Sequence, residues 1–315
     1  MHWTRVGEAG FLGGIRFLHW VYRHGGIWLF RALLYAIMPW FFLSKGVARR
    51  ASLEYLACLH ETSGGATPAP NWRNGFRHFM NFGEAMLEQL TAVDARENAG
   101  MLSSSNGLES LDRMLDEGHG VLVVATHIGS LMSLYRLGCS RYAHIPFTLL
   151  VHTRHAGRFN QILSSLNPAL EIDMIQVGSI DAATAMLLSE RIDAGGVVVI
   201  TGDRVPVAPG SSAMMVSPFL GKDAQFPIGP YVLGAVLACP VFMMFSARFR
   251  EGVSVTVRRL ADRIVLPRRA RGAAIRPYLD AYVAALTEMC IEHPLQWFNF
   301  FPFWQDRAGR PDSAL

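Results

Sequence analysis

Short, wholly apolar runs alternate with helical patterns through the middle of this chain, and that alternation limits its fold more than any other feature. The first run, VLVVA at Val121–Ala125, follows Gly118 and Gly120 and is typical of a strand buried on both faces. Similar runs lie at 147–152, 172–177 and 197–201, with helical patterns at 128–137, 157–166 and 180–192. Strands joined by helices form crossovers, so this order predicts an α/β fold with a mostly parallel central sheet flanked by helices.

The regions on either side of this alternation add further elements. Helices are expected at 51–61, 71–90, 227–238 and 276–292, and strands at 241–247 and 253–257. With 315 residues, the chain is long enough for one large core and an added segment. We place the boundary after residue 44, giving an N-terminal segment at 1–44 and a main domain at 45–315.

The N-terminal segment is strongly apolar. Residues 25–43 carry a single charge, Arg31, and approach the ~20 residues that a membrane-spanning helix needs. A simple span is disfavoured because a central arginine costs ~2.5–3.5 kcal/mol on insertion scales and because Pro39 interrupts the helix. Residues 11–22 are also apolar, so a helical hairpin lying partly in one leaflet fits better. The alternative is a helix buried against the main domain.

Composition points to an apolar environment and an anionic partner. Hydrophobic residues make up 51% of the chain and charged residues 17%, against a typical ~25%. A membrane surface or a lipid substrate would account for that excess. The net charge is +4, and seven arginines fall between Arg258 and Arg276. They suit an anionic lipid or an acidic carrier protein, or else form a solvated strand and loop. Nucleic acid is disfavoured because aromatic residues are not interleaved with the arginines.

Candidate catalytic residues follow the predicted strands, where ligands collect in parallel sheets. His127 lies just beyond VLVVA, where a histidine can act as a general base, and Gly129 would allow close approach of a substrate. The alternative is a structural histidine. After the run at 197–201 come Asp203 and Arg204. The arginine can bind a phosphate or an oxyanion, and the aspartate can orient it or face His127. A turn held by an Asp–Arg contact is the other interpretation.

A third cluster, HTRHAGRFN at 152–160, places the donors Arg154 and Asn160 after another predicted strand. The sequence contains no G-x-G-x-x-G after a strand, no Walker loop, no G-x-S-x-G elbow and no H-E-x-x-H helix. Dinucleotide, nucleotide, serine-hydrolase and zinc-protease chemistries therefore lose most of their support. Its four cysteines lack zinc-ligand spacing, and we expect buried thiols and no metal site.

Five blocks in a fixed order carry a resemblance that covers nearly the whole chain. They are THIGSL at 126–131, HTRHAGRFN at 152–160, TGDRVPV at 201–207, SPFLGKDAQFPIGPYVLGAVLACPV at 217–241 and QWFNFFPFW at 296–304. Together they resemble the bacterial lipid A late acyltransferase family, within the wider lysophospholipid acyltransferases. The WFNFF sequence is most similar to a branch associated with aryl-polyene-type pigment and related lipid clusters.

The resemblance implies transfer of a fatty or polyenoic acyl group from an acyl carrier protein or coenzyme A thioester. The acceptor would be a hydroxyl or amine of a membrane lipid or glycolipid, at the cytoplasmic face of the inner membrane. No metal or redox cofactor would be needed. His127 matches the family's general base, while Arg154, Arg204 and Asn160 would bind substrate and Asp203 would support the site.

The sequence departs from this family at one position. The family signature is a histidine, four intervening residues and then Asp or Glu, but here the acid position is Met132. A thioether neither accepts the imidazole N–H usefully nor balances imidazolium charge. Three explanations fit: activity has been lost, another carboxylate such as Asp203 serves, or the acid was replaced deliberately. A lipid- or carrier-binding protein without transferase activity is therefore the alternative function.

Overall fold

Seven helices and nine strands are defined in the computed structural model, which describes residues 8–91, 102–130, 141–142, 144–151, 173–176, 181–204, 214–249 and 252–304. The strands are β1 (Leu102–Asn106), β2 (Val121–Ala125), β3 (Phe147–Val151), β4 (Asp173–Gln176), β5 (Val197–Thr201), β6 (Met214–Phe219), β7 (Lys222–Pro227), β8 (Val241–Phe249) and β9 (Gly252–Ala261). The helices are α1 (Glu8–Ser44), α2 (Gly46–Thr62), α3 (Trp72–Thr91), α4 (Leu108–Asp116), α5 (Ala182–Asp193), α6 (Gly229–Leu237) and α7 (Arg271–Glu292).

Seven of the strands form one sheet in the order β1-β9-β8-β2-β5-β3-β4. Within the described part of this sheet only β8 and β9 pair antiparallel, so the expectation of a mostly parallel α/β sheet is confirmed. All five residues of β2 are buried because helices cover both faces of the sheet at its centre. β6 and β7 form a separate antiparallel hairpin.

The sequence prediction missed three parts of this architecture, the first of which is helix α4 at Leu108–Asp116. The edge strand β1 reads LSSSN and lacks an apolar run, and the hairpin β6/β7 lies where only a turn into α6 was expected. Helical patterns predicted at 128–137 and 157–166 fall mostly outside the described residues. Within 128–130 the chain is not helical, because Ile128 forms a bridge to Trp297 instead.

Helix α1 breaks once, at Gly26, where the backbone adopts φ 69°. That break falls at the second residue of the apolar segment 25–43, close to its junction with the segment 11–22. Pro39 was expected to interrupt the second segment, but the helix continues to Ser44. Around this proline, Met38 and Phe42 pack against α3, and that packing compensates for the backbone hydrogen bond that proline cannot make.

A stripe on α1 is buried at four-residue intervals, while several of the helix's other large apolar side chains remain exposed. Phe30, Leu34, Met38 and Phe42 face α3 in one cluster. Large apolar side chains elsewhere on the helix are open to solvent, among them Trp28 at 78% and Trp40 at 67% exposure. Within the described residues, Trp20–Ser44 is the one helix long and apolar enough to cross a membrane.

The charge of Arg31 is compensated by a carboxylate on α3. Glu84 accepts hydrogen bonds from Arg31 Nε at 3.2 Å and from Arg248 of β8 at 3.0 Å. The Glu84 side chain is only 14% exposed, so the ion pairs lie partly inside the protein. The arginine that disfavours a membrane span thus links the apolar helix to the end of a central strand.

We expect Glu84→Gln to destabilise the protein by roughly 1–3 kcal/mol, because the hydrogen bonds from two arginines lose their anionic acceptor. Urea unfolding in detergent micelles measures the loss. Glu61→Gln, at an exposed position on α2, is the matched control. Equal unfolding free energies for the two variants would contradict this role of Glu84.

Candidate active site

The candidate site is built from the loops that follow β2 and β5. These strands are neighbours in the sheet although β3 and β4 lie between them in the chain, and their register aligns Ala125 with Thr201. His127 and Asp203 each come two residues after that aligned pair. Parallel register therefore brings the histidine and the aspartate to the same height at the carboxyl edge of the sheet.

His127 and Asp203 make two hydrogen bonds with each other. The Nδ1 atom of His127 lies 2.6 Å from Asp203 Oδ1, and the His127 backbone N–H donates to Asp203 Oδ2 at 2.7 Å. The carboxylate side chain has no exposed surface, whereas the imidazole is 17% exposed. This arrangement is that of a base held by an acid, as in hydrolase triads.

The electrostatics of the pair favour a neutral imidazole. Burial lowers the pKa of His127, and Arg204 lowers it further, against the opposing effect of Asp203. Burial alone would raise the pKa of Asp203, but His127 and Arg204 hold it below its ordinary value. Because an ionised carboxylate only accepts hydrogen bonds, the neutral imidazole carries its proton on Nδ1. Its Nε2 atom is then a proton acceptor, with no partner in the described part of the chain.

The segment at 296–298 runs antiparallel beside residues 127–129. Gly129 N donates to Gln296 O at 2.9 Å, and Phe298 N donates to His127 O at 3.1 Å. Between these two bonds, Trp297 Nε1 donates to Asp203 Oδ2 at 3.0 Å. Residues 296–298, at the start of the C-terminal aromatic block, therefore form one wall of the site.

Arg204 contacts the main chain of the same C-terminal segment. Its guanidinium donates to Phe298 O at 3.2 Å, and its Nε–H is buried without a hydrogen-bond partner among the described residues. A half-buried arginine with a buried, unused Nε–H is suited to a phosphate or a developing oxyanion.

The predicted site residues divide into two groups. The structure brings together His127, Asp203 and Arg204, with Gly129 in the same loop. Met132, Arg154 and Asn160 lie outside the described residues. Trp297 was missed as a site residue, although the dense aromatic block that contains it was noted in the sequence.

Gly129 is required by the main chain of β8. It adopts φ 63°, and a Cβ atom there would lie 2.3 Å from Ser246 O. The sequence suggested that glycine at this position admits a substrate, but the group that approaches it is Ser246. Ser246 Oγ also lies within hydrogen-bond distance of the carbonyls of Ile128 and Ser130, at 3.1 and 3.0 Å. β8 thus fixes the backbone immediately after His127.

The arginine cluster between 258 and 276 lies far from this site. β9 ends beside Val241, the first residue of β8. That position lies at the amino-terminal ends of β2 and β8, whereas His127 follows the carboxyl end of β2. Several of its arginines are already paired with carboxylates, including Arg258 with Glu288 at 2.5 Å and Arg259 with Asp262 at 2.6 Å. The cluster therefore does not line the candidate site.

Across the described ranges, no group of three or more metal-ligating side chains lies close enough to hold a metal ion. Cys58, Cys239 and Cys290 are buried free thiols, as the sequence predicted. The chain matches no family model, and no curated protein matches it.

Gly129→Ala is expected to destabilise the protein more than Gly118→Ala does. Gly118 also has positive φ, at 79°, but its Cβ would meet no atom within 4 Å. Both variants carry the backbone strain of roughly 1–3 kcal/mol, and only Gly129→Ala adds a clash with Ser246. Urea unfolding of the two variants measures the difference, and similar losses would show that Ser246 gives way freely.

Proposed function

We propose that this protein is an acyltransferase that moves a fatty or polyenoic acyl group from a thioester to a hydroxyl or amine of a membrane lipid. The observation that carries the proposal is the His127–Asp203 pair, with Nδ1 held at 2.6 Å and Nε2 left as an acceptor. A carboxylate that fixes the tautomer of a histidine is the device by which general bases activate hydroxyl groups. The resemblance to the lipid A late acyltransferases supplies the reaction class.

The chemistry assigned to the pair is one nucleophilic substitution at the thioester carbonyl. His127 Nε2 takes the proton of the acceptor hydroxyl or amine. At the same time the oxygen or nitrogen of that acceptor forms a bond to the carbonyl carbon of the thioester. Asp203 stabilises the resulting imidazolium. The carbon–sulfur bond then breaks, and the thiolate of acyl carrier protein or coenzyme A takes the proton from the imidazolium. Acyl-lipid and free thiol are the products, and this sequence of steps uses no metal or redox cofactor.

Arg204 is the residue that we assign to substrate charge. Arg204 interacts electrostatically with both His127 and Asp203. Its unused Nε–H is suited to the carbonyl oxygen as negative charge develops there, or to a phosphate of the lipid. Arg154 and Asn160 remain proposed substrate-binding residues on the resemblance alone.

The hydrogen bond between Asp203 and His127 helps to explain why a methionine, Met132, can stand at the acid position of the family signature. The imidazole of His127 has one Nδ1 proton, and Asp203 already accepts it. This favours the explanation in which a substitute carboxylate replaces the motif acid. The second candidate function, a lipid- or carrier-binding protein without transferase activity, is favoured only by the methionine itself.

We also propose that α1 attaches the protein to a lipid bilayer. The support is the exposed apolar surface around Trp28 and Trp40 together with the length of Trp20–Ser44. Attachment to the cytoplasmic face of the inner membrane is part of the same proposal and follows from the resemblance.

Asp203→Asn is expected to reduce acyl transfer by about 10³–10⁴-fold, because an amide cannot hold the neutral tautomer or balance the imidazolium charge. Met132→Glu is expected to give no gain. The assay follows label from acyl-carrier and coenzyme A thioesters of several chain lengths into the extractable lipid of inner-membrane vesicles. Asp223→Asn, at an exposed position on β7, is the matched control.

A gain from Met132→Glu would contradict the assignment of Asp203 and favour lost activity. If the wild-type protein binds the labelled carrier but transfers no label from any thioester, the acyltransferase proposal fails. The protein is then a lipid- or carrier-binding protein without transferase activity.

Replacing Trp28 and Trp40 together by serine should weaken binding to phospholipid vesicles at least tenfold. A large apolar side chain contributes about 1.5–3 kcal/mol when it leaves water, and 1.4 kcal/mol corresponds to tenfold. Vesicle sedimentation measures the affinity. Met186→Ser, at a 66% exposed position on α5, controls for the loss of an exposed apolar side chain elsewhere. Unchanged binding of the double variant would move the membrane contact away from α1.

A further inference from the structure

The carboxylate of Asp203 is held by three donors, and one of them comes from the C-terminal aromatic block. Oδ1 bonds His127 Nδ1, while Oδ2 accepts from the His127 backbone N–H at 2.7 Å and from the Trp297 indole at 3.0 Å. We propose that Trp297 is a positioning residue for the His127–Asp203 pair. The indole fixes the carboxylate plane so that Oδ1 stays directed at Nδ1. The inference rests on the proposed function for its catalytic consequence.

The geometry gives the indole a specific task. The terminal torsion of an aspartate is broad, so a carboxylate with one partner can rotate away from it. With two donors on Oδ2, one of which belongs to a fully buried ring, rotation would leave a buried N–H unsatisfied. All three donors are paired only when Asp203 Oδ1 faces His127 Nδ1. The Trp297 indole therefore favours this orientation of the carboxylate.

Trp297 is itself held at its backbone. His78 Nε2 lies 2.9 Å from Trp297 O, and His78 Nδ1 lies 2.9 Å from Ser52 Oγ. Burial lowers the pKa of His78 to about 4, so the ring is neutral at physiological pH. Since a carbonyl only accepts, Nε2 carries the proton and Ser52 donates to Nδ1. The residue that positions Asp203 is thus fixed by a second buried histidine on α3.

The Trp297 ring is also fixed by packing. Tyr55, Phe219 and Phe303 surround it, with ring centroids 5.1, 5.2 and 5.0 Å away. Such contacts define the plane of the indole and hence the direction of its N–H. Within the described residues, this aromatic block therefore has two functions: it fills the core, and it aims one donor at Asp203.

Other ionisable groups near the pair leave this assignment in place. Arg204 follows Asp203 directly, and Tyr282 and Cys290 of α7 lie near enough for the Asp203 charge to act on them. Burial raises the pKa of both the Tyr282 hydroxyl and the Cys290 thiol, so both are neutral when His127 titrates. A change at Trp297 would therefore alter the pKa values of His127 and Asp203.

The test compares Trp297→Phe with Trp304→Phe. Trp304 belongs to the same aromatic cluster and donates its indole N–H to Phe219 O at 3.1 Å, so its variant loses one similar bond away from Asp203. Trp297→Phe should lower kcat/KM about 10- to 100-fold, the effect of losing one hydrogen bond to a charged group. Loss of a donor to the carboxylate raises the pKa of Asp203, and a less neutralised carboxylate raises the pKa of His127. The acid limb of the pH–rate profile should therefore move to higher pH in Trp297→Phe only.

A second measurement is independent of acyl transfer. Nitrogen-15 NMR of histidine-labelled protein reports whether neutral His127 carries its proton on Nδ1. The wild-type protein and Trp304→Phe should show the Nδ1–H form, and Trp297→Phe should show a mixture with Nε2–H and a higher His127 pKa. If wild-type protein transfers no acyl group while these spectra change as expected, the proposed function fails and the positioning of the pair stands.

Identical His127 spectra and pH profiles in the two phenylalanine variants would overturn the inference. Should Trp297→Phe fail to fold, incorporation of 3-benzothienylalanine at position 297 keeps the two-ring shape and replaces the N–H by sulfur. The same residue incorporated at 304 is its control. An unchanged acid limb and an unchanged Nδ1–H form in the folded 297 analogue would equally overturn it.

Discussion

The buried charge of Asp203 is the constraint on which this site depends. A carboxylate without exposed surface is costly unless donors surround it, and three are supplied here. Each donor comes from a structure that has to be in place first: the register of β2 with β5, the backbone turn after Ala125, and the antiparallel run of 296–298 beside 127–129. Fold and site are therefore linked, because the charge is tolerated only where the histidine and the tryptophan meet it.

Much of the fold follows from the sequence because buried parallel strands have a strong local signal. VLVVA at β2 and VVVIT at β5 are apolar enough to be identified, and His127 and Asp203 were located correctly at their ends. That β2 and β5 are neighbours does not follow, since β3 and β4 lie between them in the chain. The contact between the two residues depends on that strand order. The sequence left open whether Asp203 faces His127, and only the sheet order answers this.

Other features escaped prediction for different physical reasons. β1 is a serine-rich edge strand with no apolar periodicity, and its pairing with β9 depends on a partner about 150 residues away. Trp297 stands in an aromatic block that carries no local sign of a role in the site, because its indole N–H gains that role only through a carboxylate 94 positions earlier. Arg31 was identified as a cost to membrane insertion, but its partner Glu84 lies on another helix. Long-range pairs of this kind leave no mark in local patterns.

The link between α1 and the site has a geometric consequence for the proposed chemistry. Glu84 joins Arg31 of α1 to Arg248 at the end of β8. The main chain of Arg248 is held by both atoms of the Gln296 amide at 2.7 Å, and Gln296 O accepts from Gly129 N. The exposed apolar face of α1 is thus connected, through partly buried hydrogen bonds, to the loop that carries His127. If a bilayer binds this face, the distance between the lipid surface and His127 is fixed. The acceptor group of a lipid held at that surface needs such a fixed distance to reach His127 Nε2.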